Sequence, residues 1–201
     1  MNIKVITNTV LLATALTNLA YAAIPGPYLG VGAGYNTMRD FSDAHTTDAG
    51  GLGGTLFAGF NFNEYIGIEA SYRQYTKTNF QFDDSNYNFD SSMHSFNIVA
   101  KGYLPFGPDN KFNFYGFIGA SGVYTASDLN YQSYYYNASK LDSDSNSAVL
   151  LTAGIGIDYA ITQNVTLGAE LAGTQAQAGD DNHIGIPGTN MVNAMLAYHF
   201  N

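Results

Sequence analysis

A chain of 201 residues suffices for one domain with a full core and falls short of two. Charged residues make up only 11%, less than half of the roughly 25% usual in soluble domains, while Gly (22), Tyr (16) and Phe (13) are abundant. A net charge of −9 repels a phosphate backbone and excludes nucleic acid as a partner, and the absence of cysteine excludes disulfides and thiolate metal sites.

Residues 1–22 read as a cleaved secretory signal, with Lys4 as the positive end, an apolar run from Val10 to Leu16 and Ala20-Tyr21-Ala22 as the small-x-small cleavage site. Residues 23–201 then form the working domain. No later stretch is long and apolar enough for a membrane helix, so any membrane span must be made of strands.

Tyr28 to Met38 alternates Leu29, Val31, Ala33 and Tyr35 with Gly30, Gly32 and Gly34, the period-two mark of a strand. After a polar segment, Leu56, Ala58, Phe60 and Phe62 share a face opposite Thr55, Phe57, Gly59 and Asn61. A turn at Asn63-Glu64 leads into Ile66, Ile68, Ala70 and Tyr72, opposed by Gly67, Glu69, Ser71 and Arg73. His94 to Leu104 sets Phe96, Ile98, Ala100 and Leu104 against Ser95, Asn97, Val99 and Lys101. A Pro/Gly/Asn turn over 105–110 precedes a strand from Phe112 to Tyr124, whose two faces are too alike to fix its register. Tyr159, Ile161, Val165, Leu167 and Ala169 repeat the first hairpin, and Val192, Ala194, Leu196, Tyr198 and Phe200 form one face of the last strand.

Three short connections alternate with four long ones (39–53, 76–92, 125–147 and 175–188), which gives eight strands with both ends beside the short turns. Charge decides which face is outside. The strand charges Glu69, Arg73, Lys101, Asp158 and Glu170 all fall on the faces rich in Gly, Ser and Asn, and none interrupts the apolar faces. A charge facing lipid at mid-depth costs about 2–4 kcal/mol, so the apolar faces look into membrane. The expected fold is all-β: an eight-stranded antiparallel up-and-down transmembrane β-barrel with short periplasmic turns and long extracellular loops. Tyr35, Tyr72 and Tyr124 supply one aromatic girdle, and Phe62, Tyr103, Phe106, Tyr159, Tyr198 and Phe200 the other.

The signal, the opening Tyr28-Leu29-Gly30-Val31-Gly32-Ala33-Gly34-Tyr35, the hairpin strand Ile68-Glu69-Ala70-Ser71-Tyr72 and the end Ala197-Tyr198-His199-Phe200 carry a resemblance over the whole mature chain. It resembles the small eight-stranded bacterial outer-membrane barrels, the superfamily of the OmpA transmembrane domain, OmpX and the opacity-type surface proteins. That resemblance implies the outer membrane of a Gram-negative bacterium, contact with lipid and lipopolysaccharide, and an insertion signal at Tyr198 and Phe200 read by the barrel-insertion machinery. It also implies a role in adhesion, resistance or envelope stability.

Within that frame the lumen charges Glu69, Arg73, Lys101, Asp158 and Glu170 form one polar layer, either a static paired plug or the gate of a narrow passive channel. Tyr131, Tyr134, Tyr135 and Tyr136 form an exposed cluster suited to a host or surface ligand, since Tyr offers large area at small entropy cost. A lipid-modifying enzyme is the third reading and the least supported. His94 and Ser95 are adjacent on a strand and face opposite ways, so they cannot form a nucleophile–base pair. Asp142-x-Asp144-x-Asn146 opens like a calcium loop but lacks its Gly and its closing Glu. The sequence thus implies no catalytic residues, no metal and no cofactor.

Overall fold

The alternation of a bulky apolar face with a small or polar one runs through the wall strands of the computed structural model, which describes residues 23–39, 50–75, 78–81, 87–133, 136–177 and 185–200. These strands are β1 (Gly26–Arg39), β2 (Gly50–Asn61), β3 (Ile66–Gln74), β4 (Thr78–Gln81), β5 (Tyr87–Phe106), β6 (Phe112–Ser133), β7 (Tyr136–Ala160), β8 (Val165–Thr174) and β9 (Gly188–His199). All pairs are antiparallel; β1 pairs with β2 and β9, and β3 and β4 lie one after the other along β5. Thus β3 and β4 are two segments of one wall strand, and eight strands close into a barrel. Closure removes the sheet edges that a bilayer would leave unpaired.

Side-chain chemistry makes the short turns. Asn63 Oδ1 accepts the backbone N–H groups of Tyr65 (2.8 Å) and Ile66 (2.9 Å), while Thr162 Oγ1 does the same for Asn164 (3.2 Å) and Val165 (3.1 Å). The repeated hairpin is therefore turned the same way twice, by an Asx-type and a Ser/Thr-type cap. The third short turn holds a single 3-10 turn at Pro108–Asn110, entered through Gly107 at φ 81°.

The apolar faces point outward, as charge placement predicts. Ile98 is 52% exposed and Leu56 53%, whereas Lys101 is 4% exposed and Glu69 2%. Strand β6 settles into the register His94↔Tyr124 and Phe106↔Phe112 against β5. Near the short turns the outer aromatics pack ring on ring, stacked for Phe106–Phe112 (centroids 5.6 Å apart), tilted for Phe112–Tyr159 (4.8 Å) and edge-to-face for Tyr198–Phe200 (5.1 Å). Tyr103 does not belong to that girdle. It shares the parity of Lys101, so the pleat turns it into the lumen, where its hydroxyl donates to Asn61 Oδ1 at 3.1 Å.

Two expected long loops are also corrected. Within 76–92, β4 and the start of β5 pair with each other, and within 125–147, β6 and β7 continue their ladder up to Ser133↔Tyr136. Polar side chains do not stop a strand that has a partner for its backbone, and polarity there marks departure from the membrane instead. From Tyr124 to Ser133, β6 rises about 30 Å along its own axis at roughly 3.3 Å per residue. Among the described residues, β1, β2, β8 and β9 show no comparable continuation, so the described extension stands on one side of the barrel. Among the described residues, β8 pairs with β7 from Thr152 to Ala160, and the length of β7 beyond Leu150 pairs with β6 alone.

Candidate functional site

The lumen is filled in three tiers. Farthest from the short turns, Met38, Tyr75, Met93, Val123, Ile186 and Met191 form a buried apolar cluster. Ile186 reaches it from the β8–β9 connection, held by the reciprocal backbone bonds of Gln177 and Ile186 at 2.9 Å.

The middle tier carries the charges. Lys101 Nζ lies 2.9 Å from Glu69 Oε2, and Arg73 Nη2 lies 2.7 Å from Glu170 Oε1. The first pair joins adjacent wall strands. The second crosses the lumen, because β3 and β8 stand on opposite walls. Tyr115 links the two, with its ring 4.2 Å from Lys101 Nζ and its hydroxyl donating to Glu170 Oε2 at 3.1 Å. Tyr28 donates to Glu69 Oε2 at 2.9 Å, and Phe117 lies against the Arg73 guanidinium at 5.9 Å. Two buried cations thus receive carboxylates and aromatic faces together, the combination that offsets their desolvation.

The tier beside the short turns holds Tyr103, Asn61, Thr166 and His199, with Thr166 Oγ1 3.2 Å from His199 Nε2. A cavity of about 20 Å³ remains there, room for one or two waters, lined by Tyr28, Asn61, Lys101, Tyr103, Asp158 and His199. Asp158 faces this cavity and makes no hydrogen bond or ion pair among the described residues.

Of the five lumen charges expected to form one layer, the structure joins Glu69, Lys101, Arg73 and Glu170, and sets Asp158 apart in the cavity. The bonding aromatics Tyr28, Tyr103 and Tyr115 escaped the sequence reading. Tyr28 and Tyr103 share the parity of Gly30 and Lys101 and were findable; Tyr115 lies on β6, where both faces carry aromatic residues and parity gives no signal.

Outside the barrel, Tyr198 and Phe200 are half exposed on the outer surface. Tyr131 and Tyr136 lie on the extended parts of β6 and β7; Tyr134 and Tyr135 fall outside the described residues, as do His45 and His183. His94 meets Tyr72, with its Nδ1 2.9 Å from the phenol oxygen, while Ser95 is buried in the lumen. Among the described residues no group of His, Asp or Glu is arranged to hold a metal ion.

Comparison with known proteins places this geometry. The family model for the outer membrane protein beta-barrel domain matches residues 8–200. Among solved structures, the fold is similar to Ail, the attachment invasion locus protein of Yersinia pestis, at 18% identity and a TM-score of 0.55 over 88% of this chain and 100% of that one. It is also similar to Neisserial surface protein A (16% identity, TM-score 0.57, 87% and 97% covered) and to OprG from Pseudomonas aeruginosa (11%, 0.53, 90% and 99%). No curated protein matches the chain. With a family model covering nearly its whole length and an eight-stranded closed barrel behind it, the chain belongs to the outer-membrane β-barrel family of Gram-negative bacteria.

Proposed function

We propose that the barrel is a closed anchor whose work is done outside the membrane, by the sheet that β4, β5, β6 and β7 carry beyond the bilayer. One observation supports this reading most. The lumen is blocked by two buried ion pairs and an apolar cluster, while the strands on one side continue well past the Tyr124 girdle. A paired sheet fixes the backbone of its strands, and among the described residues it leaves one β7 edge open to a partner, two properties of recognition surfaces.

Charge narrows the partner. The segments beyond the membrane carry Asp83, Asp84, Asp90, Asp128, Asp142 and Asp144 against Lys77 and Lys140. Ail has been solved in complex with the heparin analogue sucrose octasulfate; an acidic sheet would repel such a polyanion, so the surface ligand here is neutral or basic. Lipopolysaccharide and phospholipid contact the outer apolar faces. Catalysis has no support in the geometry, since His94 and Ser95 face opposite sides of the wall. The alternative, a narrow passive channel, requires the Arg73–Glu170 strut to part.

The test is adhesion of a reporter bacterium displaying either the full barrel or one lacking residues 128–146. Loss of binding to host cells or matrix in the trimmed form, with heparin bound by neither, is the expected result. Equal binding by both forms overturns the proposal.

A further inference from the structure

The segment ahead of β1 does not leave the barrel. Ala23 is 1% exposed and Ile24 7%, and Ala23 belongs to the lumen cluster of Val99, Tyr103, Tyr115 and Phe117. Asn61 Nδ2 donates to the Ile24 carbonyl at 3.0 Å, tying the segment to the same side chain that accepts from Tyr103. Gly26 makes the inward bend at φ 115°, in the left-handed region where a Cβ would be strained and would crowd the Phe200 carbonyl at 3.2 Å.

The charges around this segment do not balance. Among the residues whose side chains are described, Glu69, Glu170 and Asp158 face the lumen with Lys101 and Arg73, and those two cations are already paired with Glu69 and Glu170. Asp158 is the carboxylate without an ion pair of its own, and it lines a cavity with Asn61, Tyr103 and Lys101, whose ammonium is already bonded to Glu69. A half-buried carboxylate in a protein interior needs a counter-charge or several donors.

We propose that residues 23–25 are a strap across the periplasmic mouth and that the α-ammonium of Ala23, created by cleavage after Ala22, is the missing counter-ion of Asp158. Signal removal then completes the lumen as well as releasing the chain. Before cleavage position 23 carries a neutral amide and cannot neutralise Asp158. Afterwards it carries a charge beside Tyr103, which shares a buried cluster with Ala23 and a cavity with Asp158. Peptide-bond hydrolysis supplies that amine, with water giving the new carboxylate on Ala22 and the protons of the ammonium.

The experiment uses the mature barrel beginning at Ala23, refolded in lipid, with its α-amine followed by NMR titration. An unperturbed α-amine titrates near about 7.7–8.0. Burial alone lowers an amine's pKa and an opposite charge raises it, so pairing with Asp158 should hold it at or above that value and Asp158→Asn should lower it. Nα-acetylation and Asp158→Asn should each lower the thermal midpoint, and combining them should lower it no further, the non-additivity expected of one shared contact. An amine that titrates below that value in the unmodified barrel or is unmoved by Asp158→Asn, losses that simply add, or a mature chain from the outer membrane that starts elsewhere than Ala23 by mass spectrometry each overturn the proposal.

Discussion

Lys101 makes one ion pair, with Glu69, and Glu69 has Lys101 and the Tyr28 hydroxyl. Lys101→Ala leaves a buried anion with one neutral donor, so it should cost about 3–5 kcal/mol in urea unfolding of the refolded barrel. Replacing both partners at once, as Lys101→Met with Glu69→Gln, removes the charge together with its counter-charge and should recover most of that loss. If the double variant is as unstable as the sum of the singles, the pair is not the unit that matters. Tyr115→Phe separates two roles on one ring: it keeps the face beneath Lys101 and removes the donor to Glu170. A hydrogen bond to a charged group is worth about 1.5–3 kcal/mol, and the unfolding midpoint should fall accordingly.

Along each strand, what matters is which face meets which solvent. Ile98→Arg puts a cation into lipid and should lower stability by about 2–4 kcal/mol, whereas a polar exchange at Asn97 on the lumen side should be tolerated far better. Gly119 serves a different need. A Cβ there would collide with the Ile98 carbonyl and Val99 Cα, both backbone atoms of β5, so Gly119→Val should abolish the compact, heat-modifiable band on unheated gels. The faces of β1, β2, β3, β5 and β9 were legible from alternation, because one side is bulky and the other small or polar. Strand ends were not: the sequence turns polar near Lys77 and Thr125, where the membrane ends, while the backbone ladder goes on. The lumen charges were legible as a set, but their partners were not, since pairing across a barrel depends on stagger and closure. Nor was the inward turn of Ala23 and Ile24, which rests on a single bend at Gly26.

As a whole, the molecule is a cylinder closed at the outer end by the Met38–Met93–Met191 cluster and in the middle by the Arg73–Glu170 pair that crosses it. Planar-bilayer recordings of the refolded barrel should therefore be silent. Discrete openings in the unmodified protein that change in Lys101→Ala would favour the channel instead.

The Arg73–Glu170 bond has a consequence in time. Arg73 and Glu170 sit four wall strands apart in an open sheet, on the order of 19 Å at about 4.8 Å per strand, and can meet only when β1 has found β9 and the cylinder is round. A contact absent until closure adds nothing to the speed of assembly and holds back disassembly. Weakening it should leave the insertion rate of the nascent barrel unchanged and shorten the lifetime of the finished one, so the bond across the lumen acts as a latch on a hoop.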